Sequence, residues 1–408
     1  MATADRRSPT GTAVNHILCR GCDKTFGMDL TTFPCPECGG ILDPQYDYSS
    51  IDLTGKDIEN RDGSMWKYRE LLPVSNAEHI VSMGEGETPL IECPTLAEKM
   101  GIGRLLMKDE GQNPTNTFKD RGLSAAISMA NEHGAETVGL PTAGNAGQSA
   151  SAYAAKAGLN CHVFLNYQAG DVKKDLIEAH GAELHIREGT IDDAGAAFAE
   201  AKEENGWYTV TTFETPFRHE GKKTMGFEIY EALDWHTPDE IVYPTGGGVG
   251  LIGIWKGYKE LAELGIVNDS PPSLTVAQTE GSSPVVDAIK AQKDRHDPVS
   301  DPNSIAKGVE IPDPGASPWI LEAVRESRGD GVSVPDGAAV DAALQLAQSE
   351  GIEMCVTAGV ALAGAIKRAE RGMYDSDDTV VVTNCGAGVK TSARLGQAAR
   401  YRPSSFDE

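Results

Sequence analysis

The sequence predicts an α/β protein with a mostly parallel sheet in two lobes, preceded by a small cysteine-bearing module. Three observations predict it. From about Gly86 onward, short β-rich runs alternate with helical ones, the signature of βα units. Four of the eight cysteines fall early, as two Cys-x-x-Cys pairs. The 45 glycines are spread among the short apolar runs, as expected where strands turn tightly into helices. A chain of 408 residues, 40% hydrophobic and 24% charged, can bury a sizeable core and is too long for one minimal domain.

The N-terminus, read as a polar tail over residues 1–15, has no apolar core of the kind a secretory signal needs. The module that follows, over residues 16–48, carries Cys19, Cys22, Cys35 and Cys38. Clustered pairs in a reducing compartment favour metal binding over disulfides. Two such knuckles can present four thiolates tetrahedrally to Zn²⁺, and Gly39 and Gly40 suit the tight turn the second one needs. A four-sulfur site leaves no open position, so the expected zinc is structural. The alternatives are a ribbon that keeps its cysteines without metal, or a redox pair.

Beyond the module, Thr137–Leu140, Cys161–Leu165, Glu183–Ile186, Tyr208–Phe213, Glu240–Tyr243, Leu274–Gln278 and Thr379–Thr383 read as strands. Helices are expected over Arg121–Glu132, Asp193–Glu204, His219–Leu233, Gly250–Leu264 and Asp336–Ser349. The Pro/Asp/Ser-rich stretch His296–Pro318 reads as a long surface excursion.

The net charge of −25 repels nucleic acid and anionic lipid, and no apolar stretch approaches the length needed to span a bilayer. The expected location is the cytoplasm. A carboxylate-rich surface keeps a protein dissolved where salt screens repulsion, which points to a salt-rich one. An anionic substrate in such a chain needs a locally basic or backbone-lined pocket.

The segment with the most chemistry is Asn113-Pro114-Thr115-Asn116-Thr117-Phe118-Lys119-Asp120-Arg121-Gly122, in which a loop runs into a helix near Lys119. The positive end of a helix dipole disfavours the ammonium form of a lysine placed there. Amine nucleophiles that form Schiff bases need that depression, although a helix-start lysine is also common as a solvated surface residue. Three further segments follow strands and open helices or turns. They are Thr142-Ala143-Gly144-Asn145-Ala146-Gly147, Pro244-Thr245-Gly246-Gly247-Gly248-Val249-Gly250, and Cys385-Gly386-Ala387-Gly388. Consecutive glycines before a helix let backbone N–H groups surround a phosphate.

Together, in this order, these segments resemble the threonine synthases, and more broadly the fold-type II, tryptophan synthase β-like enzymes that use pyridoxal 5′-phosphate. The resemblance covers roughly residues 80–400 as one catalytic unit, with a smaller lobe at about 120–220 and the larger lobe in the remainder. The cysteine module resembles an N-terminal extension found in a subset of that family.

The resemblance implies that Lys119 holds the cofactor as a Schiff base and acts as general base once freed. It implies that Asn145 meets the cofactor's 3′-oxygen, that Gly246, Gly247, Gly248, Val249 and Gly250 surround its phosphate, and that Cys385 faces the pyridine nitrogen. Thr142 and Arg218 fall on the substrate side, Arg218 in the place of an arginine that contacts the substrate phosphate. The implied reaction converts O-phosphohomoserine and water to threonine and phosphate.

Two departures weigh on the substrate. The family's polar Asn-Ser pair is replaced by Thr212 and Phe213, and the Gly-Gly-Gly loop is closer to that of serine and threonine dehydratases. Dehydration or β-replacement is the alternative, and Arg218 discriminates, because it could instead pair with Glu214 or Glu220 on a solvated loop. A zinc-ribbon interaction protein with a silent catalytic body is a third reading, which the intact lysine opposes. The partners expected are a small amino-acid substrate, with no nucleic acid and no membrane, and a homodimer is a possible assembly.

Overall fold

The computed structural model describes residues 12–166, 170–189 and 191–401. The polar tail expected over 1–15 lies outside the described residues as far as residue 11. The chain divides into two compact units, one built from residues 1–87 and 119–224, the other from 88–118 and 225–408. The second of these divisions falls between Phe118 and Lys119.

In the first unit, β1 (Val14–Cys19), β2 (Thr25–Phe26) and β3 (Leu42–Tyr46) form an antiparallel sheet in the order β2-β1-β3. The second unit begins with β4 (Leu90–Glu92) and β5 (Arg104–Asp109), an antiparallel pair. The chain then returns to the first unit for β6 (Thr137–Thr142), β7 (Asn160–Asn166), β8 (Glu183–Arg187) and β9 (Tyr208–Thr209). These four make a parallel sheet in the order β8-β7-β6-β9. Last come β10 (Glu240–Pro244), β11 (Ser273–Thr279), β12 (Asp330–Val334) and β13 (Thr379–Asn384), which complete the second unit's sheet as β12-β11-β10-β13-β5-β4.

The expected strands and helices are all present, with ends shifted by a few residues, and the parallel sheets bear out the α/β class. β13 shows why. Its Thr-Val-Val-Val-Thr run is β-branched, and Val380, Val381 and Val382 are fully buried, as in a strand covered on both faces.

Two expectations are corrected. The strand foreseen over Tyr208–Phe213 stops at Thr209, because Phe213 adopts a left-handed φ of 64° and Thr212 bridges Thr215, which turns the chain. The stretch His296–Pro318 is irregular as far as Ala316 and only partly a surface excursion: Asp297, Pro298, Ser300, Asp301 and Asn303 are exposed, whereas Ser304, Ala306, Val309 and Ala316 are buried. Side chains replace a ladder there, since Asp336 accepts from Ser304 Oγ at 2.7 Å and from Ile305 N at 2.9 Å.

Parallel strands place their C-terminal ends together, and in the second unit this gathers the motifs. β10 lies beside β13, with Val242 opposite Val382, and β13 lies beside β5, with Asn384 opposite Asp109. The glycine segment, Cys385 and the Asn113–Thr117 loop therefore leave one edge of one sheet.

Candidate active site

Lys119 opens the helix Lys119–Glu132 in the first unit. Its neighbours fix that helix by buried polar contacts. Ser149 Oγ donates to Asp120 Oδ1 at 2.5 Å, and Arg121 Nη1 donates to Thr224 Oγ1 at 3.0 Å. One turn further, Ser124 Oγ donates to Glu85 Oε1 at 2.6 Å. Glu85 is fully buried and also accepts from Trp66 Nε1 at 3.0 Å and Tyr153 Oη at 2.8 Å. Sequence reasoning missed Glu85; its only signal was a carboxylate between two glycines.

Thr142 ends β6 and is buried; its hydroxyl accepts from Gly144 N at 3.0 Å and keeps its own hydrogen to donate. Gly144, at φ 130°, turns the chain into the helix Asn145–Ala157. Asn145 Oδ1 is buried with no hydrogen-bond partner among the described residues. A buried amide oxygen left unpaired costs about 1–3 kcal/mol, so the site is built for a group that donates there.

Arg218 sits at the second position of the helix Phe217–Ala232 and is only 1% exposed. Its Nη1 donates to Val210 O at 3.2 Å, while Nε and Nη2 have no partner among the described residues. Burial pulls the guanidinium down from its ordinary value to about 10, which still leaves it charged near neutral pH. The carboxylates that could have paired with it are engaged elsewhere. Glu214 takes Lys202 at 3.0 Å, and Glu220 takes Lys223 at 2.7 Å. The loop reading of Arg218 therefore does not hold.

The Arg218 helix and the Lys119 helix meet through glycine. A Cβ on Gly221 would lie 2.0 Å from Arg121 O, and one on Gly122 would lie 2.5 Å from Arg218 O. Only bare Cα atoms allow the two backbones this close, and the contact brings Arg218 within a turn of Lys119 along the helix. Phe213, at the place of a polar residue in the family, stacks on His219 with ring centroids 6.2 Å apart.

In the second unit, Gly248 takes a left-handed φ of 80° and starts the helix Val249–Glu263 with no side-chain cap. Its first N–H groups thus remain for a ligand, and at Gly247 an added Cβ would meet nothing within 4 Å. At Gly250 a Cβ would lie 1.8 Å from Tyr243 Oη, so the glycine makes room for that phenol against the helix start. Tyr243 Oη is buried without a partner among the described residues. Burial, then nearby Cys385 and Glu110, hold it well above the usual phenol range. Tyr243 is a second residue that sequence reasoning missed, since a strand-end tyrosine has no distinguishing pattern.

Cys385 is buried with its Sγ 3.9 Å from Cys355 Sγ, and its carbonyl accepts from Phe118 N at 3.2 Å. The hydrogen bond from Cys385 holds the Cys355 thiol below its ordinary range, against the effect of burial. The signature loop is fastened to the same segment, with Thr117 bridging Gly386 and Ala387 N donating to Asn116 O at 3.0 Å. Beneath it Lys108 Nζ, 1% exposed, pairs with Glu228 Oε2 at 2.7 Å.

These features fit pyridoxal phosphate. In the second unit an uncapped helix start behind three glycines suits a phosphate and the buried Cys385 thiol suits an unprotonated ring nitrogen; in the first unit the unpartnered Asn145 Oδ1 suits a hydroxyl that donates to it. The cysteine module likewise fits a metal. The Sγ atoms of Cys19 and Cys38 are 3.5 Å apart and those of Cys22 and Cys35 3.9 Å, all four lying within 4.8 Å of one another. Zinc–sulfur bonds of about 2.3 Å in a tetrahedron require edges of about 3.8 Å. Gly40 N donates to Cys38 Sγ at 3.3 Å, and a Cβ on Gly40 would come within 3.0 Å of Cys19 Sγ.

Comparison with known proteins agrees with this chemistry. The family described as "Pyridoxal-phosphate dependent enzyme" matches residues 81–386. Threonine synthase of Methanocaldococcus jannaschii is 36% identical, covering 91% of this chain and 92% of that protein. Threonine synthase of Methanosarcina acetivorans is 38% identical over 91% of each. Among solved structures, a processed threonine deaminase of Solanum lycopersicum superposes with a TM-score of 0.65 at 20% identity, covering 78% of this chain and 84% of that one. A pyridoxal 5′-phosphate-dependent aspartate racemase does so at 0.66 and 19% identity, over 84% and 98%. At such identities the structures speak for the fold alone.

Proposed function

The chain belongs to the threonine synthases of the pyridoxal-phosphate dependent enzyme family, and from that premise we propose that it converts O-phosphohomoserine and water to threonine and phosphate. The observation that carries the substrate is Arg218, a fully buried guanidinium with two nitrogens unpartnered among the described residues. A buried cation without a counterion is costly, and a dianionic phosphate is the ligand whose geometry its planar fork matches. A dehydratase would have no use for it.

Pyridoxal phosphate, when bound, supplies the electron sink that makes the substrate's α- and β-protons removable. The chain's residues do the rest. Lys119 would anchor the cofactor, and its free amine would take and return protons at the substrate carbons. The N–H groups of the 246–250 segment hold the cofactor phosphate, with Tyr243 Oη beside them. Asn145 would meet the cofactor's 3′-oxygen and Cys385 its pyridine nitrogen, where a thiol would leave the nitrogen unprotonated and so favour elimination over transamination. Thr142 donates to the substrate. Arg218 takes the charge that grows on the departing phosphate, a contact worth more in the transition state than in the ground state.

The cysteine module is read as a structural zinc site, supported by its four converging sulfurs. No helix among the described residues is long and apolar enough to cross a membrane. The charge of −25 supports a salt-rich cytoplasm as the setting, which rising activity with KCl would test. A homodimer remains the proposed assembly, to be measured by light scattering. The deciding assay follows phosphate release and threonine formation from O-phosphohomoserine, with serine and threonine as competitors. Dehydration of those two without turnover of phosphohomoserine would replace this function with the dehydratase.

A further inference from the structure

In the parallel pair β7–β8, His162 stands opposite Glu183, and His185 follows two residues later on the same face of β8. His162 Nδ1 lies 3.0 Å from His185 Nε2. The carboxylate of Glu183 spans the pair, its Oε2 3.6 Å from His162 Nδ1 and its Oε1 3.5 Å from His185 Nε2, and one donor atom from each of the three residues lies within 4.8 Å of the others. Aromatic faces hold both imidazoles in plane. Trp207 stacks on His162 with centroids 3.9 Å apart, and Phe164 stacks on His185 at 4.3 Å.

We propose that His162, Glu183 and His185 bind a divalent transition-metal ion, at a site separate from the cysteines. Imidazole and carboxylate bonds of about 2.0–2.1 Å around a tetrahedral ion place ligand atoms about 3.4 Å apart, and each histidine nitrogen lies near that distance from the other and from one oxygen of the carboxylate. A shared proton could hold the two imidazoles at their distance, but it leaves the carboxylate unused; an ion engages all three. Two imidazoles and one carboxylate select zinc, nickel, copper or cobalt over magnesium or calcium, which prefer all-oxygen shells. The histidines are partly open, with side chains 15% and 20% exposed, so an ion can enter and keep a water as fourth ligand.

The site does not belong to the synthase chemistry. In register, His162 pairs with Gly139 of β6, while Thr142 pairs with Leu165. The ion would therefore sit three residues, about 10 Å, back from the Thr142 end of the sheet. Its effect is structural: β8 is the outer strand of its sheet, and the ion clips it to β7.

The test uses the full chain with cofactor bound and the cysteine site filled with zinc, titrated with Ni²⁺ by calorimetry and with Co²⁺ by absorbance. Wild-type protein should take up one further equivalent, with the intense visible d–d bands of a four-coordinate ion and no thiolate charge-transfer band. His185→Ala should weaken uptake at least tenfold and Glu183→Gln severalfold, both with turnover unchanged. Glu183 is 66% exposed, so its variant keeps the fold if the histidine variant does not. Uptake as tight in both variants as in the wild type, or none in the wild type, overturns the proposal.

Discussion

Tyr46 Oη donates to Glu220 Oε2 at 2.5 Å, joining strand β3 of the cysteine module to the helix that carries Arg218, across 174 residues of sequence. Lys223 completes the contact, its Nζ 2.7 Å from the same carboxylate oxygen and 3.9 Å from the Tyr46 ring centroid. Asp43 reaches the same helix, its Oδ1 3.4 Å from His219 Nε2. Tyr46→Phe removes a hydrogen bond to a buried charge, which should lower stability by about 1.5–3 kcal/mol. Because Glu220 lies two residues from Arg218, KM for phosphohomoserine should rise severalfold while cofactor content holds. An unchanged KM would confine Tyr46 to stability.

Arg218→Met separates function from folding. It should cut phosphate elimination by about 10²–10³-fold, as removal of a charge-stabilising donor does elsewhere. It should also raise the stability of the ligand-free chain by about 1–2 kcal/mol, since an uncompensated buried charge is lost. The pH dependence has a definite sign. A base whose folded pKa, about 10, lies below its unfolded value opposes folding fully below pH 10, and the penalty fades as pH climbs toward the unfolded value. The stability gap between variant and wild type should therefore be flat at neutral pH and narrow above pH 10. Inorganic phosphate should raise the midpoint of the wild type only.

Lys119→Ala should abolish both turnover and the adduct that borohydride traps on the wild-type chain. Peptide mapping of the reduced wild type should find the cofactor on Lys119. A label on any other lysine would sink the assignment.

Cys35→Ser combined with Cys38→Ser should release one zinc per chain by metal analysis, while the folded fraction keeps its cofactor. The module shares its unit with the Arg218 helix through Tyr46 and Asp43, so phosphate protection should weaken as zinc leaves. Wild-type protein prepared without chelators and found metal-free would remove the zinc.

Motifs tied to backbone demands were legible: Gly248 at positive φ, Gly144 before Asn145, and Gly39 at φ 71° in the second knuckle all stand where a turn requires glycine. Strands that read as strands, such as β13, did so because both faces are buried. β5 was not legible, because its Lys108 looks like a surface residue until Glu228, 120 positions later, folds onto it. β12, Asp-Gly-Val-Ser-Val, hides behind a glycine and a serine. The buried residues within 296–318, such as Ala306 and Val309, were missed for a related reason. Polar residues there are satisfied by side chains such as Asp336, which composition alone scores as exposed. Tyr243 and the Asp43–His219 contact depend on tertiary proximity that no local pattern encodes.

The neighbourhood of β5 and β13 sets an order of events during synthesis. Asn384 Nδ2 donates to Asp109 Oδ1 across 275 residues, so β5 leaves the ribosome long before the strand it must lie against exists. The sheet β6–β9 is complete by Thr209 and can close on its own chain early. The later unit waits for almost the whole polypeptide, and until then β5 offers Leu105, Leu106 and Met107 unprotected. Long-range parallel pairing of this kind is slow and exposes sticky edges to other nascent chains. Lys119 is thus translated early, whereas β13 and the Cys385 that follows it arrive late.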